Sequence, residues 1–178
     1  MNYANFVKKL QLPSGFRPPA RLTYDDLVAT ALTRENLSDD VRGINASIDL
    51  ILRTRCGGWP TEPVTEEFNL VDLVWHECEF REGYSFAYAV HDGGGAYLGC
   101  CYLYPLGSRT PLDEQLLDYD VDVSWWVTPD AYHAGIYADV HDALRHWLAT
   151  EFPFWQPHYS NRELPDAQTK EGPRGLAR

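Results

Sequence analysis

The chain is short of positive charge, with 15 Lys and Arg against 26 Asp and Glu and a formal net charge of −11. A field of that sign repels phosphate backbones and anionic headgroups, which excludes nucleic acid and membrane surfaces as partners. Long apolar runs are also missing. Met1 to Leu12 carries Lys8 and Lys9 with no hydrophobic stretch behind them, so the sequence predicts neither a signal peptide nor a membrane anchor, and a cytoplasmic location follows. Cysteine is scarce, and Cys56, Cys78, Cys100 and Cys101 show no Cys-x-x-Cys spacing. All four therefore read as reduced thiols, with the vicinal pair on opposite faces of a strand. No Gly-x-Ser-x-Gly, Walker loop or His-Glu-x-x-His is present, which removes the matching hydrolase, NTPase and zinc-protease classes. No metal is expected, because on a helix His76 and Cys78 point about 200° apart and only His76 and Glu79 share a face.

What is present is enough for one packed domain: 178 residues, 44% hydrophobic and 13% aromatic. The punctuation divides the chain into a Pro-rich lead over 1–21, a domain over 22–160 and a polar tail over 161–178. The stretch Leu22 to Leu32 is ambiguous between helix and strand. Val41, Ile44, Ile48, Ile51 and Leu52 recur at helical spacing, with Ser38 as cap and Arg53 and Arg55 in the last turn. A second helix is predicted over Glu66 to Phe80, capped by Thr65, with Phe68, Val71, Trp75 and Cys78 on one apolar face.

From Ser85 the pattern becomes aromatic and β-branched. Ser85–Val90 and Leu98–Tyr104 flank Asp92-Gly93-Gly94-Gly95, which reads as a hairpin turn rather than a phosphate loop, since no helix follows. Asp118 to Val127 alternates strictly as a third strand, with Tyr119, Val121, Val123, Trp125 and Val127 on one face and Asp118, Asp120, Asp122, Ser124 and Trp126 on the other. Carboxylates spaced by two on one face repel one another, which raises at least one pKa toward acid–base use; the plainer reading is a solvated sheet face. A helix from Ile136 to Thr150 and a last strand over Phe154 to Ser160 follow. Helices first, then a hairpin, then alternating helix and strand, predict an α/β or α+β fold with a mixed, mostly antiparallel sheet flanked by helices.

The junction Val127-Thr128-Pro129-Asp130-Ala131-Tyr132-His133-Ala134-Gly135-Ile136-Tyr137 resembles the GNAT acyltransferase superfamily, in which a strand ending Val-x-Pro runs into Gln/Arg-x-x-Gly-x-Gly/Ala. Upstream, Leu32-Thr33-Arg34-Glu35-Asn36-Leu37, two helices and the hairpin extend the similarity, which covers roughly Leu27 to Ser160 and makes Leu27 to Leu32 the first strand. Only Gly135 matches the loop's three defining positions: Tyr132 stands at the Gln/Arg position and Tyr137 at the Gly/Ala position, so the loop is degenerate. The family's final helix and strands are expected to be missing, because the chain ends soon after Tyr159.

The resemblance implies an N-acetyltransferase in which an amine attacks the thioester of acetyl-CoA directly. It implies pantetheine hydrogen-bonded along Val123 to Val127, a backbone N–H near Val127 on the thioester carbonyl, and pyrophosphate cradled by backbone around Tyr132, His133, Ala134, Gly135 and Tyr137. Asp120 or Asp122 would take the amine proton, and Ser124 and Trp126 would contact the acceptor. With the acidic face, the acceptor is expected to be a small-molecule or peptide amine of basic character, and a homodimer is a further expectation. The other reading of the degenerate loop is a GNAT-fold binding or dimerisation scaffold that has lost CoA.

Overall fold

The structure, a computed structural model, describes residues 8–109 and 111–165. In chain order, β1 (Arg21–Tyr24) and β2 (Leu27–Ala31) are followed by α1 (Leu37–Thr54), α2 (Glu66–Glu82), β3 (Phe86–Asp92), β4 (Tyr97–Tyr104), β5 (Val121–Val127), α3 (Pro129–His133), α4 (Ile136–Thr150) and β6 (Pro157–Tyr159). The strands form one six-stranded sheet in sequence order. Every neighbouring pair is antiparallel except β5 and β6, which run parallel because α4 crosses between them.

The mixed sheet flanked by helices is the fold class that the sequence predicts, and the ambiguous stretch resolves into strand on both sides of a tight turn at Asp25. The alternating stretch Asp118 to Val127 forms β5, which is shorter than the pattern: it begins at Val121, so Asp118 and Asp120 lie outside it. The alternation within it holds. Val121, Val123, Trp125 and Val127 pack with Val140, Leu144 and Trp147 of α4, while Trp126 joins Ile44 and Ile51 of α1 on the other face. Cys101 and Cys100 separate between the same two faces, and burial pushes the Cys101 thiol up to about 12.

Capping follows local chemistry with one displacement. Thr65 accepts from the Phe68 N–H at 3.2 Å, as its position before α2 predicts. Ser38 does not cap α1; it lies inside the helix, and Thr33 and Asn36 form a capping box on a short 3₁₀ turn ahead of it. The α2 face is the larger correction. Phe68, Val71 and Trp75 are 58%, 70% and 61% exposed, and Asn69, Leu73 and His76 are buried in their place. Inward-facing partners decide this: Asn69 Nδ2 donates to buried Asp40 at 2.7 Å, and His76 lies against the Tyr102 ring.

Two glycines bring the elements close. A Cβ on Gly43 of α1 would lie 2.7 Å from the Tyr97 ring, and one on Gly99 (φ +148°) would lie 2.1 Å from the Trp126 carbonyl. Helix α1 and strand β5 can therefore approach β4 only with glycine at these two positions.

Candidate functional site

Strand β6 pairs with β5 only from Val121 to Val123. Past Val123 the outer edge of β5 has no strand beside it among the described residues, and unpaired strand N–H and C=O groups need partners. One side chain supplies them. Asn161 Oδ1 accepts from the Trp125 N–H at 3.1 Å and its Nδ2 donates to the Trp125 carbonyl at 2.9 Å, so a carboxamide takes both main-chain groups of one residue. By the two-residue period of a strand, Val127 presents its N–H along the same edge.

From Asn161 the chain crosses to the end of α1. Arg162 donates through its backbone N–H to Thr54 at 2.8 Å and through its guanidinium to the Leu52 and Gly57 carbonyls, which caps that helix. Glu163 then meets the degenerate loop. Its carboxylate accepts from Tyr132 OH at 2.8 Å and pairs with Arg53 at 3.0 Å, and its carbonyl accepts from Tyr137 OH at 2.7 Å. Asn161 Nδ2 also donates to Tyr137 OH, at 2.6 Å. Tyr132 and Tyr137 thus hold Asn161 and Glu163, and with them this segment, as a strap at the β5 edge. The segment expected to open a polar tail has a buried first residue.

The loop's own N–H groups are largely committed. Tyr132, Ala134 and Gly135 donate to the carbonyls of Thr128, Asp130 and Tyr132, and His133 and Ala134 are exposed. Gly135 has φ +87° with open space where a Cβ would be, so the glycine there serves the left-handed turn into α4. The residues present fit the amide-rich arm of an acyl-CoA, because Trp125 already holds a carboxamide; towards its pyrophosphate, three loop N–H groups are committed and Tyr137 fills the small-residue position.

The aspartate row separates. Asp118 is exposed, and Asp120 accepts from the Trp155 and Gln156 N–H groups at 2.6 and 3.3 Å, which ties the start of β6 to β5. Only Asp122 is buried on the α1/α2 face, and it accepts from Ser160 Oγ at 2.5 Å. Ser124 lies two residues on along that face and accepts from Arg55 Nε at 3.2 Å. Trp126 lines no cleft; its ring is in the core and its Nε1 donates to Tyr102 OH. The structure therefore joins Ser124 to Arg55, sets Asp122 on the same face of β5 against Ser160, puts Trp126 behind the Tyr102 ring in the core, and places Asp120 outside the strand.

Beside Ser124, between the end of α1, α2 and β4, lies a cavity of about 240 Å³ walled by Tyr102, Tyr104, Asp72 and His76, with Arg55 and Arg109 on its lining. Burial lowers the His76 pKa, but Asp72 at 3.4 Å and Glu79 at 3.6 Å outweigh it and hold the imidazole above its ordinary value. Arg55 and Asn161 carried no functional signal in the sequence. Arg55 reads as a helix-end cation and Asn161 as the first residue of a polar stretch, and only the fold brings both to β5.

No protein-family profile matches the sequence, and a search of curated proteins finds no match. Solved structures are similar in fold. An L7/L12 alpha-N-protein acetyltransferase, RimL, in complex with coenzyme A matches at TM-score 0.54 and 12% identity, over 74% of this chain and 66% of that one. The ribosomal-protein-S5-alanine acetyltransferase of Vibrio fischeri matches at 0.54 and 8%, over 73% and 67%. An acetyl transferase of Salmonella typhimurium that modifies the N-terminal serine of L7/L12 matches at 0.52 and 10%, over 72% and 68%. The chain spans about two thirds of the length of each. Its fold is that of the GNAT acyltransferases, in a divergent form with a degenerate loop before α4.

Proposed function

We propose that the protein is an N-acyltransferase that moves an acetyl group from acetyl-CoA to an amine. The observation that carries this reading is the β5 edge beyond Val123, where Trp125 offers an N–H and a C=O to a carboxamide and Val127 points a further N–H the same way. When bound, acetyl-CoA supplies an acyl thioester: the amine nitrogen forms the new C–N bond as the C–S bond breaks, and the amine proton leaves to a base while the thiolate is released.

This chain's residues have three tasks in that reading. The β5 edge orients an extended, amide-bearing donor, a reading supported by the two hydrogen bonds that the Asn161 carboxamide makes with Trp125. The Val127 N–H stabilises charge on the carbonyl oxygen. Asp122 receives the amine proton with Ser160 between it and the edge. The strap competes for the first task, so Asn161→Ala is expected to raise acetyl-CoA affinity by roughly two- to tenfold, the worth of about one net hydrogen bond.

The experiment incubates the purified protein and Asn161→Ala with acetyl-CoA and a panel of primary amines. It reads N-acetylated product by mass, thiol release, and acetyl-CoA binding by calorimetry. Acetyl-CoA-dependent modification of an amine supports the reading; no binding and no product with either protein ends it.

A further inference from the structure

The cavity beside Ser124 contains two arginines that no described carboxylate reaches in an ion pair, although both lie near enough to Asp72 to help lower its pKa. Neither Arg55 nor Arg109 forms an ion pair among the described residues, and of the described arginines without one Arg55 alone is buried. Arg55 is only 8% exposed. Its guanidinium carbon lies 4.2 Å from the centroid of Tyr102 and its Nε donates to Ser124. Its two terminal amino groups make no hydrogen bond among the described residues. Arg109, at the mouth, lies 4.3 Å from the Tyr104 centroid and donates one hydrogen bond to that phenol, at 2.7 Å. Stacking on a ring uses the face of a guanidinium and leaves its edge, the part that matches a carboxylate in two parallel hydrogen bonds. Among the described residues Asp72 is the one carboxylate on the lining, and His76 lies 3.4 Å from it.

A buried, stacked and unpaired guanidinium in a chain of net charge −11 is costly unless something anionic completes it. We infer that this cavity binds the carboxylate of a small amine, with Arg55 and Arg109 gripping the carboxylate and Trp59 and Phe68 covering an apolar body, so that the acceptor is of amino-acid type. The identification as acceptor rests on the acyl-transfer reading above; the carboxylate site does not. About 240 Å³ suits one amino acid rather than a folded polypeptide. The pocket thus points away from the basic acceptor that overall charge suggests, because the local charges at the cavity are of the opposite sign to the chain's.

The test titrates the full chain, without acetyl-CoA, with L-phenylalanine and L-leucine and with their carboxamides, which keep the amine and the body but lose the charge. Binding is read by calorimetry and each variant's fold by its melting temperature. At least one acid is expected to bind about tenfold or more tightly than its carboxamide. Arg109→Gln, and separately Arg55→Lys, which retains the charge without the fork, should bring the acid down to the carboxamide's affinity and leave carboxamide binding unchanged. Equal affinity for acid and carboxamide would overturn the inference, as would selectivity that survives in both variants or binding of inorganic phosphate in place of either acid. Acid-selective binding with no acetyl transfer to these amines would uphold the carboxylate site and count against the acyltransferase. Transfer to amines regardless of a carboxylate would do the reverse.

Discussion

The two faces of one sheet differ in what they hold. Towards α4, β5 presents Val121, Val123, Trp125 and Val127 to an almost wholly apolar layer. Towards α1 and α2 the same strand presents Asp122 and Ser124, opposite a layer that contains buried Asp40, Asn69, His76 and Arg55. Burying polar groups is favourable only where each finds a partner. That condition is met at Asp40, whose carboxylate accepts from Asn69 at 2.7 Å and from Tyr97 OH at 2.6 Å, while burial raises its pKa. The α4 face holds the fold together; the α1/α2 face gives up apolar burial to position charged groups around a cavity. Because β5 belongs to both faces, a rigid apolar layer stands directly behind the candidate chemistry.

The sharpest way to test that division is a change on the polar face that alters chemistry without altering the fold. Asp122→Asn keeps shape and an acceptor for Ser160 but removes the base. Acetyl transfer is expected to fall by roughly 10²–10⁴-fold, with the melting temperature held or raised. Turnover within a factor of about two of wild type would remove Asp122 from the mechanism, and Asp120 could not replace it because it is committed to backbone.

Stability should separate the faces next. Leu144→Ala empties part of the α4 layer and should cost about 2–5 kcal/mol. Asp40→Ala strands Asn69 Nδ2 in a buried site and leaves Tyr97 OH only Cys100 Sγ, at 3.1 Å, so it should cost about 1–3 kcal/mol. Denaturant titration measures both. A cost under about 0.5 kcal/mol for Asp40→Ala would mean that its network is solvated and that the contrast between the faces is false.

The apolar face was legible in the sequence because its signal is periodic. Val121 to Val127 alternates, and Val140, Leu144 and Trp147 recur at helical spacing, so both appear in the core as read. The polar face was not legible, because its order depends on pairs far apart in the chain. Asn69 and His76 face inward on account of Asp40 and Tyr102, and against those partners the local stripe of Phe68, Val71 and Trp75 loses. The same holds for the site. The junction at Thr128 to Gly135 was recognisable as motif, but Asn161 has meaning only beside Trp125, and Arg55 only beside Tyr102 and Ser124.

A smaller effect comes from His76. Its pKa is raised in the fold above 6.5, so its contribution is fully present below about pH 6.5 and is lost as pH rises through the folded value. Asp72 and Glu79 are lowered, so theirs is present above their unfolded values and is lost as pH falls through the folded ones. The cluster is therefore strongest between about pH 4.5 and 6.5. Asp40 opposes it in part, its raised pKa disfavouring ionisation in the fold. The stability difference between wild type and His76→Gln should shrink as pH rises from about 6 to 8.5. A difference constant over that range would show that the imidazole is held neutral and that the pocket carries one cation fewer.

The smallest expected effect tests the orientation of α2. Val71 is 70% exposed, against 1% for Ile44 on α1, although the sequence pattern places both on apolar helix faces. Serine and valine have similar helix propensity, and an exposed valine has little burial to lose. Val71→Ser should therefore leave stability within about 0.5 kcal/mol of wild type, whereas Ile44→Ser removes packing and inserts a hydroxyl into the core. Urea titrations at two protein concentrations distinguish the outcomes. A loss at Val71 as large as that at Ile44, at both concentrations, would mean that α2 turns its apolar stripe inward in solution. Asn69 and His76 would then face water, and the walls of the Arg55 cavity would come apart with the network that explains why the helix is reversed.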